Sequence, residues 1–185
     1  MKFLNILKNF YQNFLQKSKY RPLVIDYDSI YEKKRRNVWS DSKRLKIKDL
    51  KSLNIGKKEF VVMCTKWCDV NLGKKNGQYI LKIYYSFSKT YGTYFCDNKT
   101  FLIRLWENLL LIDVGETVIH EYVHYLQFSS KKHIKNSNVL EEKLGYDDNP
   151  YEIEAREVAA KLKNVCFDAI LKELNPNSVS PNRKK

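Results

Sequence analysis

Residues 117–127 read Thr117-Val118-Ile119-His120-Glu121-Tyr122-Val123-His124-Tyr125-Leu126-Gln127, and two of the chain's three histidines fall inside them. In an α-helix, residues four apart lie about 6 Å from one another on the same face, so His120 and His124 can converge on one ion. Glu121 follows the first histidine and projects at the edge of that face, where its carboxylate reaches a metal-bound water rather than the metal itself. The apolar flanks keep the rest of the helix amphipathic. This spacing predicts a Zn2+ site with His120 and His124 as ligands and Glu121 as general base.

Zn2+ held by three protein ligands keeps an open fourth position, lowers the pKa of a bound water to about 7 and polarises a carbonyl. No serine or cysteine sits in a persuasive nucleophile motif, which agrees with a reaction that needs no covalent intermediate. Further along, Asn149-Pro150 reads as an N-cap with proline at the first helical position, and a helix is predicted from there to about Leu174. On it, Glu152, Ala155 and Ala159 share one face, and the alanines leave room for close approach to the first helix. Glu154 lies about 200° round the helix from Glu152 and groups with Val158 and Lys161. Glu152 is therefore the expected third ligand and Glu154 the alternative, because Glu152 also stands where a capping-box glutamate folds back on Asn149.

The rest of the fold is read outward from these helices. Asp113-Val114-Gly115-Glu116 has the spacing of an acidic capping box, which predicts the first helix over Thr117 to about Phe128. Upstream, Phe60-Val61-Val62-Met63-Cys64-Thr65-Lys66-Trp67-Cys68 reads as a strand. The glycine-containing turn Asn71–Gly77 would join it in a hairpin to Tyr79–Phe87. Tyr91–Phe95 and Thr100–Leu105 read as two further strands about the turn Asp97-Asn98-Lys99. The expected fold class is α+β, with a small, mostly antiparallel sheet followed by the active-site helix and a second ligand-bearing helix.

The pattern His120–Gln127 combined with Asn149-Pro150-Tyr151-Glu152-Ile153-Glu154-Ala155 resembles gluzincin-type zinc metallopeptidases. Similar patterns occur in the family that cleaves phage repressors and in small phage and bacterial zincins. The resemblance covers roughly residues 95–165. It implies a zincin-like fold that hydrolyses a protein or peptide substrate, with an edge strand along the cleft that takes up the substrate backbone. Thr100–Leu105 is the candidate for that edge. The resemblance also implies an oxyanion-stabilising or ligand-supporting side chain, for which Tyr146, Tyr151 and Arg156 are candidates. In related patterns Asp or Asn stands where this chain has Arg156. The metzincin extension would need Gly at 127 and His at 130, where this chain has Gln127 and Ser130. His133, in a Lys131-Lys132-His133 run, is expected in a solvated loop.

Composition bounds the remaining choices. The 185 residues, 43% hydrophobic and 14% aromatic, suit one folded domain over 1–174 and exclude a disordered chain. A disordered basic tail is expected over 175–185. Met1–Tyr20 carries Phe3, Leu4, Leu7, Phe10, Tyr11, Phe14 and Leu15 at helical spacing, an amphipathic helix expected to dock on the core. It lacks a secretory apolar core and cleavage site, so the expected compartment is the cytoplasm and no membrane partner is expected. Cys64, Cys68, Cys96 and Cys166 are expected as reduced thiols. The net charge of +13 would attract an anionic partner. It leaves an alternative reading, a catalytically weak zincin scaffold that binds nucleic acid or a protein partner through Lys33–Lys58 and Asn182–Lys185. No nucleic-acid-binding motif accompanies that charge.

Overall fold

A computed structural model of the chain describes residues 44–73, 78–87, 90–128 and 131–174. The amphipathic helix expected over Met1–Tyr20, the basic run Lys33–Arg36, most of the turn before Tyr79 and the tail 175–185 lie outside the described residues. What is described is α+β: a 3-10 turn Ile47–Lys51, then α1 Lys57–Asn71, β1 Ile80–Tyr85, β2 Gly92–Phe95, β3 Thr100–Leu105, α2 Leu111–Gln127, α3 Lys131–Leu144 and α4 Pro150–Leu174.

The segment expected as the first strand is the helix α1. Its buried residues Phe60, Val61, Cys64, Thr65 and Cys68 recur at helical spacing and make one stripe, which packs on α2 and α4. Glu59 accepts the Gly56 backbone N–H at 3.4 Å and so caps the first turn. A short apolar run of this length suits a strand or a buried helix equally, and the 3.6-residue period of the stripe decided against the β-propensity of its valines.

With α1 helical, the expected hairpin does not form and the sheet is mixed rather than mostly antiparallel. Its order is β1-β3-β2. β1 pairs parallel with β3 from Ile80↔Thr100 to Tyr85↔Leu105, while β2 pairs antiparallel with β3 from Gly92↔Ile103 to Phe95↔Thr100. Thr100–Leu105, expected at the edge, is thus the central strand. Its buried Phe101, Ile103 and Leu105 alternate toward the helices, as a strand flanked on both sides should. The edges are β1 and β2.

α2 is the axis of the core. It begins at Leu111, earlier than the Asp113–Glu116 spacing predicts; no side chain caps it at Leu110, and Asp113 sits inside its first turn. Its residues are buried almost all round, with β2 and β3 on one side and α1 and α4 on the other. Phe101, Tyr79, Tyr94, Tyr122 and Tyr125 pack edge-on or stacked between sheet and helix at ring separations of 4.9–6.2 Å. The buried Tyr122 hydroxyl donates to Asp69 Oδ1 at 2.6 Å, and Tyr79 donates to Asp69 Oδ2 at 3.1 Å, so one carboxylate of α1 holds both rings.

α3 is an element that the sequence reading did not anticipate. His133 belongs to its first turn rather than to a loop, and its Nδ1–H donates to the Gln127 carbonyl at 2.9 Å, which fastens α3 to the end of α2. Gly145, at φ +83°, ends α3 in the left-handed conformation that glycine tolerates, its N–H on the Glu141 carbonyl at 2.8 Å. α4 then starts at Pro150. The buried Asn149 caps it by accepting the Tyr151 N–H at 3.1 Å and donates to Ser137 Oγ at 3.2 Å, so the cap also ties α4 to α3. All four cysteines are free. Among the described residues no helix is long and apolar enough to cross a membrane.

Candidate metal centre

His120 and His124 are one turn apart on α2, and Glu152 faces them from the first turn of α4. The two Nε2 atoms stand 3.1 Å from each other. His124 Nε2 is 3.1 Å from Glu152 Oε1, and His120 Nε2 is 3.3 Å from Glu152 Oε2. The three residues form the one group among the described residues whose donor atoms converge closely enough to hold a metal ion. Donors about 2.0–2.1 Å from a tetrahedral ion sit about 3.3 Å from one another, so the observed separations are those of a ligand set. Glu152 Oε2 is buried and within ion-pair reach of His120, yet has no partner in hydrogen-bonding geometry. A buried orphan acceptor costs roughly 1–3 kcal/mol unless something cationic satisfies it. The donor set therefore fits a divalent metal.

The electrostatics are those of a site that concentrates negative charge. Burial alone would raise the Glu152 pKa, but the two imidazoles and the Tyr146 hydroxyl outweigh it and hold the carboxyl well below its usual range. Burial opposes charge on His124; hydrogen bonding and charge from Glu152, with Glu121 and Gln127 behind, nonetheless raise its pKa. Glu121 is buried, and desolvation lifts its pKa even though His120 and His124 pull it down. A carboxylate lifted in this way is better suited to accept and return a proton.

Glu154, the alternative ligand, points elsewhere. It accepts a 2.7 Å hydrogen bond from Gln127 Nε2, which also donates to the Tyr151 carbonyl at 3.0 Å. Both partners are acceptors, so the Gln127 amide has one orientation and its Oε1 faces His124 Nδ1 at 2.9 Å. His124 must then carry its proton on Nδ1. The Nε2 lone pair is left for the metal position, the arrangement that a supporting hydrogen bond gives a ligand histidine. Gln127 was not identified as functional from sequence. The available signal was a polar amide one turn beyond His124, on the helix face that carries both histidines.

The three supporting candidates have different fates. Tyr146 lines the cleft together with Glu152; burial first and then this carboxylate raise its pKa. Tyr151 is buried, packs against Phe128 and contributes its backbone carbonyl to the Gln127 network. Arg156 bonds Asp147 through Oδ1 at 2.8 Å and through the backbone carbonyl, and its guanidinium lies 6.0 Å from the Tyr146 ring. The support expected near position 156 thus comes from α2 itself, through Gln127.

The metal position opens on a cleft of about 950 Å3. One wall is the edge strand β2 with its approach, Thr90 to Tyr94; the other is built from α2, Tyr146 and the α4 residues Glu152, Arg156, Ala159 and Ala160. Compared with protein-family models, curated proteins and solved structures, the chain matches none.

Proposed function

We propose that this chain is a zincin-type metallopeptidase that hydrolyses peptide bonds in a protein or peptide substrate. The observation that carries the reading is the triangle of His120, His124 and Glu152 donors at 3.1–3.3 Å, with buried Glu121 beside it, at one wall of an open cleft. Zn2+ is the metal that two imidazoles and one carboxylate suit best, and when bound it would polarise a substrate carbonyl and acidify a water molecule.

The chain's own residues account for the rest. Glu121, with its pKa lifted by burial, takes the proton of the attacking water and returns it to the leaving amine. Among the described residues β2 pairs only with β3, and its other edge would align an extended substrate backbone by strand addition. That role, expected of Thr100–Leu105, passes to Gly92–Phe95. Tyr146 can donate its hydroxyl to the oxygen on which negative charge develops, and its raised pKa keeps that proton in place. Arg156, tied to Asp147 and lying near the Tyr146 ring, steadies the turn that carries it.

The test is metal analysis together with hydrolysis of an unstructured protein such as casein and of a fluorogenic peptide library. One zinc per chain and metal-dependent cleavage are expected, with Glu121→Gln keeping the metal and losing the cleavage. A wild-type protein that binds no zinc overturns the reading.

A further inference from the structure

Gly92 opens the edge strand β2 opposite Glu121. Its φ is not in the left-handed region, so the backbone does not demand glycine here. Space does. A Cβ added at Gly92 would stand 2.6 Å from Thr117 Cγ2, 2.7 Å from Glu121 Oε1 and 2.9 Å from Glu121 Cγ, all closer than real Cβ contacts come. Two residues on, the Tyr94 backbone faces the Glu121 carboxylate and draws its pKa down against the effect of burial. The missing side chain thus lets β2 lie directly against the Glu121 side chain of α2, while the strand's own pairing, Gly92 with Ile103 and Tyr94 with Phe101, keeps the strand in place.

We infer that Gly92 is a positioning residue for Glu121: the side-chain-free position fixes where the carboxylate lies, and Thr117 closes the other side of the slot. The inference rests on Glu121 being the general base, but the contact exists without any metal and can be tested apart from activity. Filling the slot must displace either the Glu121 side chain or the whole strand. β2 is tied to β3 by its ladder, so the side chain is the part that gives way.

The experiment is a mutant cycle on the full chain, with melting temperature, zinc content, kcat and KM measured for Gly92→Ala, Glu121→Ala, Thr117→Ala and their combinations. Overpacking by one methyl should lower the melting temperature of Gly92→Ala by roughly 5 °C. The drop should be clearly smaller in the Glu121→Ala background, because the blocking side chain is gone. Gly92→Ala should still bind one zinc per chain, lose about 100-fold in kcat and keep its KM within about twofold. Thr117→Ala/Gly92→Ala removes the shortest contact and should still lose kcat; should Gly92→Ala not fold, this double variant carries the test. An equal drop in melting temperature with and without the Glu121 side chain would overturn the inference. So would wild-type kcat in either Gly92 variant. If wild type cleaves nothing, the peptidase reading fails, and the melting-temperature cycle still decides whether Gly92 and Glu121 are coupled.

Discussion

Gln127 Oε1 and His124 Nδ1 stand 2.9 Å apart, and the bond between them runs in one direction because the other end of the amide is committed to two acceptors. α2 thus supplies a donor that could hold a metal and, one turn later, the group that orients it. α4 supplies the third donor of the cluster, Glu152, and also Glu154 and the Tyr151 carbonyl that orient Gln127. The two helices are coupled at the site in both directions.

Gln127→Ala should weaken zinc binding about 10- to 100-fold, the usual cost of losing a supporting hydrogen bond to a ligand histidine. Glu154→Gln should cost far less, because the Tyr151 carbonyl still orients the amide. Competition for zinc against a chromophoric chelator measures both. Unchanged affinity in Gln127→Ala would show that His124 needs no support.

His120→Ala, His124→Ala and Glu152→Gln should each lose stoichiometric zinc, and Glu154→Gln should keep it. Zinc affinity should also fall as the pH is lowered, because protons compete with the metal for its imidazole and carboxylate ligands. Titrations at pH 5.5, 6.5 and 7.5 test the sign. Zinc loss in Glu154→Gln with retention in Glu152→Gln would exchange the roles of the two glutamates.

Tyr146→Phe removes one hydroxyl from the cleft wall and leaves the ring. It should lower kcat by about 100-fold, the scale of one oxyanion donor, with zinc content and KM nearly unchanged. A fall confined to KM would assign Tyr146 to substrate binding instead.

The tyrosines between sheet and helix make the fold sensitive to alkali. Burial first, and for Tyr79 also the nearby Asp69, pushes Tyr79 and Tyr94 from 10 up to about 12. Between those values the unfolded chain has released protons that the folded chain still holds. Stability from this source is therefore complete below about pH 10 and is lost as the pH rises toward 12. Denaturant titrations from pH 8 to 11.5 should show the decline, and Tyr79→Phe should make it shallower. An equally steep decline in the variant would place the sensitivity elsewhere.

Two parts of the molecule could be read from local chemistry. The histidine pair depends only on the four-residue spacing of a helix, and the start of α4 depends only on Asn149 followed by proline. Glu152 could be preferred over Glu154 because both positions lie on one helix, where the angle between them is set by the 3.6-residue period. Phe60–Cys68 failed as a strand because a short, mostly apolar run satisfies a buried helix as well as a strand, and nothing local separates the two. The parallel pairing of β1 with β3, and with it the identity of the free edge, depends on contacts some twenty residues apart.

By itself, then, the order of the residues determined a helix with two inward imidazoles and a carboxylate beside them, and a later helix that offers a glutamate. Only the tertiary structure decided which strand borders the cleft, that Gln127 sets the His124 tautomer and that Gly92 makes room for Glu121. Spacing along one helix is a property of the chain, whereas these three depend on where separate elements come to rest against each other, and that is set by packing of the whole core.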